Sequence, residues 1–257
     1  MNQTLAGSVA LLALLTISAS ASAVDPFEIQ VYDGTANPRG AAGLELHVNH
    51  VALGLRSADP PELPQHRVTH FTLEPSYGVT DFWEIGGYFQ AALRGDGTFD
   101  YAGIKLRSKF VTRPGFHPHI RLGLNLELSV LPETYDRNRW AGELRPIVAW
   151  ENHDWYFAAN PIIGTPLAGS GFTAGPTFEP AVAAMFKVDE KFGFGLEYYA
   201  DFGAIADPAP WRLQQHYLYE IENLLAVKDF ELQLGIGEGL TSGSNPLVVK
   251  MIVGYVF

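Results

Sequence analysis

The chain has 257 residues, among them 26 glycines, 17 prolines and no cysteine, with a formal net charge of -11. The absence of cysteine excludes a disulfide framework, a thiolate metal site and a thiol nucleophile, and the acidic balance lacks the basic footprint that nucleic-acid binding requires. Mean hydropathy is +0.04, low for a bundle of spanning helices but near the average of a wall that alternates between oil and water.

Residues 9–17 form an apolar run, and Ala21-Ser22-Ala23 supplies an Ala-x-Ala cleavage site, so 1–23 reads as a secretory signal and the mature chain begins at Val24. The run is too short for a spanning helix, and no later stretch approaches the ~20 consecutive apolar residues one needs. Phe27, Ile29 and Val31 then alternate with Glu28, Gln30 and Tyr32, ahead of a turn-rich 33–40. Residues 24–42 are expected to form a stub at the periplasmic mouth of the fold that follows; a lumen plug or an extra pairing strand are the alternatives.

From residue 43 onward the period is two, the signature of strands with one apolar face. Alternating segments fall at 44–56, 67–78, 82–94, 99–111, 119–131, 139–151, 155–163, 176–187, 192–202, 213–225, 230–236 and 247–257. A phase slip near Asn49-His50 in the first reads as a β-bulge. The fifth is the most regular: Ile120, Leu122, Leu124, Leu126, Leu128 and Val130 alternate with Arg121, Gly123, Asn125, Glu127 and Ser129. In the tenth, Tyr217, Tyr219 and Ile221 are expected outside, with Glu220 and Glu222 inside. The last carries Leu247, Val249, Met251, Val253, Tyr255 and Phe257 on one parity, with Lys250 on the other. Connections alternate between tight (78–81, 151–154, 188–191, 227–229) and longer (57–66, 132–138, 164–175, 203–212, 237–246), as periplasmic turns and external loops do. Trp83, Trp140, Trp150, Trp155, Trp211, Tyr255 and Phe257 fall at strand ends, where girdle aromatics sit. The expectation is an all-β protein: a transmembrane antiparallel up-and-down β-barrel of about twelve strands over 43–257.

Ala21-Ser22-Ala23, the hairpin series and the closing Tyr255-Val-Phe257 together resemble small outer-membrane barrels of proteobacteria, whose terminal Phe is read by the assembly machinery. The segment Pro26-Phe-Glu-Ile-Gln-Val-Tyr-Asp33, leading into Gly43-Leu-Glu-Leu-His-Val-Asn49, is similar to poorly characterised transporter-like barrels, some of them grouped with aromatic-compound degradation. The resemblance implies a place in outer-membrane lipid, delivery by the barrel assembly machinery and passive uptake of a small solute. It carries over no catalytic residue.

The functional lead is charge on the expected inner face. Lys105, Arg107, Lys109, Arg121 and Arg145 lie on the fourth to sixth strands, with Glu84, Glu127 and Glu143 among them. Glu179, Glu197, Asp201, Glu220, Glu222 and Glu231 lie on the eighth to eleventh, across the barrel. Left apart, the two walls set up a transverse field along an aqueous path; paired, they fill the lumen. The expected function is a channel for passive diffusion of small polar or aromatic solutes through a charged lumen. A sealed barrel with a structural or adhesive role and an outer-membrane lipid hydrolase are the alternatives. The hydrolase needs a Ser–His pair on the oil-facing wall, and Ser129 and His119, ten residues apart on one strand, are separated by roughly 33 Å. His117-Pro-His119, His47/His50 and His66/His70 have no carboxylate at metal-ligand spacing, and no nucleotide-binding or metalloprotease motif is present. No cofactor, metal or catalytic residue is expected.

Overall fold

The computed structural model describes residues 24–170, 172–227 and 229–257, so the signal reading of 1–23 falls outside the described residues. The strands are β1 (Ala42–Leu53), β2 (Thr69–Thr80), β3 (Trp83–Leu93), β4 (Phe99–Val111), β5 (Ile120–Val130), β6 (Trp140–Glu151), β7 (Trp155–Asn160), β8 (Ile163–Ala168), β9 (Thr177–Phe178), β10 (Ala181–Lys187), β11 (Phe192–Asp201), β12 (Gln215–Val227), β13 (Phe230–Gly239) and β14 (Leu247–Val256). Twelve of them, β1 to β7 and β10 to β14, close an antiparallel barrel. The seam joins β1 to β14, with Leu44 opposite Tyr255 and Val48 opposite Met251. Closure leaves no strand edge in the ring unpaired, the condition for a sheet to stand in lipid.

β8 and β9 are extra to that ring. β7 pairs with Val148–Glu151 of β6, β8 with Trp140–Leu144 of the same strand, and β9 with β8. The sequence reads a single strand over 155–163 and another over 176–187; each is interrupted at a proline. Pro161 and Pro180 have no N–H for a ladder, and they stand in the gaps between β7 and β8 and between β9 and β10. The irregularity expected near Asn49-His50 lies two residues on, between Val51 and Leu53.

The pleat turns one parity of each strand outward. On β5, Leu122, Leu124, Leu126 and Leu128 are exposed while Asn125 and Glu127 are buried inside; on β14, Val249 and Tyr255 are exposed while Lys250 and Ile252 are buried. This inversion, apolar out and polar in, is stable only where the surroundings are hydrocarbon. At the short-turn end Trp83 stacks on Phe110 and Trp155 on Phe157, and Tyr255 meets Phe257 edge-to-face, with centroids 5.9, 5.8 and 4.9 Å apart. These rings make a girdle at one rim.

β12 reverses the expected parity. Tyr217, Tyr219 and Ile221 are buried inside, and Glu220 and Glu222 stand on the outer face with exposed Leu218. Apolar volume was needed within, where these side chains join Ile29 and Val31 in one cluster. The two carboxylates therefore sit among Phe194, Leu196, Leu234 and Ile236. Glu222→Leu is expected to stabilise the barrel in bilayers, by less than the ~2–4 kcal/mol that a lipid-facing Arg or Lys costs at the midplane. Urea titration in liposomes measures this, and an unchanged or lower midpoint would contradict it.

Candidate functional site: the barrel interior

Residues 24–34 lie inside the barrel, 35–41 run out beside the 78–81 turn, and no strand is formed within 24–41. The segment's backbone groups are taken instead by wall side chains. Asn49 Nδ2 donates to the Pro26 carbonyl at 2.9 Å, Thr72 Oγ1 to the Phe27 carbonyl at 2.8 Å and Lys250 Nζ to the Ile29 carbonyl at 3.0 Å. The Asn160 amide holds Tyr32 at both backbone groups: Tyr32 N–H donates to Oδ1 at 2.7 Å, and Nδ2 donates to the Tyr32 carbonyl at 3.1 Å. Further on, the Asn37 N–H donates to Glu84 at 2.6 Å, and Gly40 bonds to Gly78 at 2.8 Å where the chain turns into β1.

The alternation of 27–32 matches a two-sided interior. Ile29 and Val31 pack on an apolar face built by Tyr156, Ala158, Ala181, Ala183, Met185, Tyr199, Tyr217, Tyr219 and Ile221. Phe27 meets Val68, Tyr135 and the edge of His70, the last with centroids 4.7 Å apart. Glu28 and Tyr32 face the charged wall of β2 to β6. The Tyr32 hydroxyl donates to Glu28 at 2.9 Å and meets the Tyr88 hydroxyl at 2.5 Å, and the Arg145 guanidinium lies 4.4 Å from the Tyr32 ring centroid.

The expected pore residues are brought together as ion pairs. Lys105 reaches Asp25, Glu28 at 3.4 Å and Glu127 at 3.6 Å. Arg145 bonds Glu28 at 3.0 Å and Glu143 at 2.7 Å. Arg107 bridges Glu74 at 2.5 Å and Glu84 at 2.6 Å, and Lys109 adds to Glu84 at 3.0 Å. Gly86 makes room for this: a Cβ there would stand 3.0 Å from Arg107 Nε. Arg121 pairs with Glu151 at 3.2 Å, and Glu197 is held by Lys250. Asp201 accepts from the Gly203 N–H at 2.7 Å, and Glu179 accepts from Thr177 Oγ1 at 2.5 Å. Opposed basic and acidic walls thus give way to local pairing. Glu28 of the inner segment is shared between Lys105 and Arg145, and Glu220 and Glu222 take no part.

Two interior cavities flank the segment. One, of about 810 Å³, opens among the tight turns and is lined by Gln30, Tyr32, Glu45, Lys109, Arg121 and Glu231. The other, of about 80 Å³, lies toward the long loops beside Phe27, Glu127, Tyr135, Asp136 and Glu179. Glu28 and Ile29 line neither. In the loop over the small cavity, burial raises the Asp136 carboxyl to about 6; burial likewise raises Glu62, against the lowering pull of Arg137.

Sequence reasoning missed Asp25, Glu28 and Asn160, and gave Glu74 and Tyr88 no role. A signal was present for Glu28, which stands on the polar parity of 27–32, and for Lys250, the lone charge of the closing strand.

No family model matches the sequence, and no curated protein matches it. Solved structures do match in shape. The COG4313 outer membrane channel from Pseudomonas putida F1 superposes with a TM-score of 0.60 at 14% identity, over 90% of this chain and 100% of that one. The KdgM porin gives 0.55 at 9% identity, over 84% and 99%, and the NanC porin 0.53 at 8%, over 84% and 98%. At such identities the likeness is one of fold: this chain shares its barrel with channels and porins of outer membranes.

Proposed function

We propose that the protein is a narrow diffusion channel of the bacterial outer membrane, with residues 24–41 as its constriction and small polar or aromatic solutes as its permeants. The observation that carries this reading is the 810 Å³ cavity within the barrel, flanked by a segment whose buried part, 26–32, the wall holds through side chains. Its volume falls in the range of sites that take small molecules, ~300–1,000 Å³. In that cavity, charged Arg107, Lys109 and Arg121 together with the Tyr156 ring and the apolar Met185, Ile221 and Leu232 favour solutes with a polar edge and an apolar face. The lipid-facing wall and the aromatic rim support a place in the outer membrane, reached through the barrel assembly machinery.

The refolded protein in a planar bilayer is expected to give small, stepwise conductance. Silence from folded protein would remove the open-channel reading. A second reading, a filled barrel, is favoured by one observation: Glu28 and Ile29 lie between the two cavities and line neither. Removal of the inner segment separates the two readings.

A further inference from the structure

We infer that Glu45, His47 and Glu74 form a binding site for a divalent transition-metal ion of the Zn²⁺ class in the wall of the larger cavity. Spacing along the chain gives the histidines no such role, because the third ligand comes from another strand. His47 and Glu45 are two residues apart on the inward parity of β1, and His47 is paired in register with Thr72 of β2, two residues from Glu74. One donor atom from each of the three lies within 4.8 Å of the others.

The geometry is that of ligands around one ion. His47 Nε2 is 3.5 Å from Glu45 Oε2 and 3.3 Å from Glu74 Oε2. Two donors at ~2.0–2.2 Å from a tetrahedral zinc ion stand about 3.4 Å apart. Both are ion-pair contacts at the long end of the range, and Nδ1 of His47 has no hydrogen-bond partner. The His47 and Glu74 side chains are 0% and 2% exposed, so the histidine and the carboxylate are buried polar groups facing one another. Such groups are costly unless satisfied.

The surroundings favour a cation and fix the ligands. Arg107 grips Glu74 through Oε1, from Nε at 2.6 Å and Nη2 at 2.5 Å, leaving Oε2 to face His47. Such outer contacts orient the ligands of metal sites. Arg107 and Lys109 are also committed to Glu84. Gln30 Nε2 donates to Glu45 Oε2 at 3.4 Å. Glu45 and Glu231 flank Gly254 from its two neighbouring strands, and a Cβ at Gly254 would stand 3.0 Å from Glu45 Cγ and 3.4 Å from Glu231 Cβ. Two carboxylates thus share a gap beside His47 that has no side chain in it. The Glu45 side chain is 24% exposed and lines the 810 Å³ cavity. An ion here keeps a coordination position open to water or to a solute donor, as three-ligand zinc sites do. The site stands whether or not the barrel conducts.

The test is calorimetric titration of ZnCl₂ into the refolded, chelator-treated barrel carrying no histidine tag. One ion per chain is expected at micromolar dissociation constant or tighter. His47→Gln should weaken binding at least ~100-fold and Glu45→Gln at least ~10-fold. His117→Gln/His119→Gln, which removes the histidines of the exposed 112–119 turn, should leave it unchanged. Heat-modifiable gel mobility establishes that each variant is folded; if His47→Gln does not fold, Glu45→Gln at the cavity edge decides. Absence of binding would overturn the site, as would binding that Glu45→Gln leaves intact or that the double variant at 117 and 119 abolishes.

Discussion

Deletion of residues 25–35 is expected to raise single-channel conductance several-fold over the intact chain while the barrel still folds. Folding survives because the segment contributes nothing to the ladders: its backbone bonds run to Asn49, Thr72, Asn160 and Lys250. The seam remains intact, since the β1–β14 ladder and the Phe257–Ala42 bond lie beyond the deletion, as does Gly40–Gly78 at the entry to β1. Conductance rises because Phe27 to Tyr32 occupy the space between the two cavities. The orphaned Lys105 and Arg145 would then face water and keep Glu127 and Glu143 as partners. Planar-bilayer recording with heat-modifiability as the folding control measures this. Conductance equal to that of the intact chain would mean that the segment is not the constriction. Silence in both forms would leave the filled barrel unsupported as well, because its filling would be gone.

The second large effect belongs to Glu28→Gln. Glu28 is 4% exposed and bridges Arg145 and Lys105. Removing one partner of a buried ion pair costs about 3–5 kcal/mol where the remaining charge is stranded; Lys105 keeps Asp25 and Glu127 and Arg145 keeps Glu143, so the loss here is expected to be smaller. The isosteric amide keeps the volume and loses only the charge, so the segment should loosen where it crosses the lumen. The expected result is a higher open probability with ion preference moved toward anions, read as a shift in reversal potential across a KCl gradient. Adding Arg145→Gln should restore part of the anchorage, since the two sites share one interaction. Identical conductance and thermal midpoint in the intact chain and Glu28→Gln would show that this bridge does not hold the segment.

Much of the wall was legible because a period of two carries its own test. On β5 and β14 every second residue is apolar without interruption, and the face follows from that alone. β12 was illegible for the same reason: its odd positions carry Tyr217, Tyr219 and Ile221 and its even ones Leu218, Glu220 and Glu222, so neither parity is plainly oily. Burial against Ile29 and Val31 decided the matter. The charged residues of β3 to β6 were legible as a set, but their pairing was not, because Glu28 and Asp25 reach them from residues far away in sequence. The Glu45–His47–Glu74 cluster was hidden likewise, since β1 and β2 bring Glu74 beside His47 only through their register.

The sequence by itself determined the barrel, the twelve strands of its ring and, on the regular strands though not on β12, the side of the wall that meets oil, since alternation and turn length are local quantities. The tertiary structure decided what fills that barrel. Where the 24–41 segment goes depends on a two-faced lumen that exists only after twelve strands have closed. Its apolar parity finds the tyrosine-lined face, and Glu28 finds the cations on the other. That match is a property of the closed wall, and no stretch of the chain carries it alone.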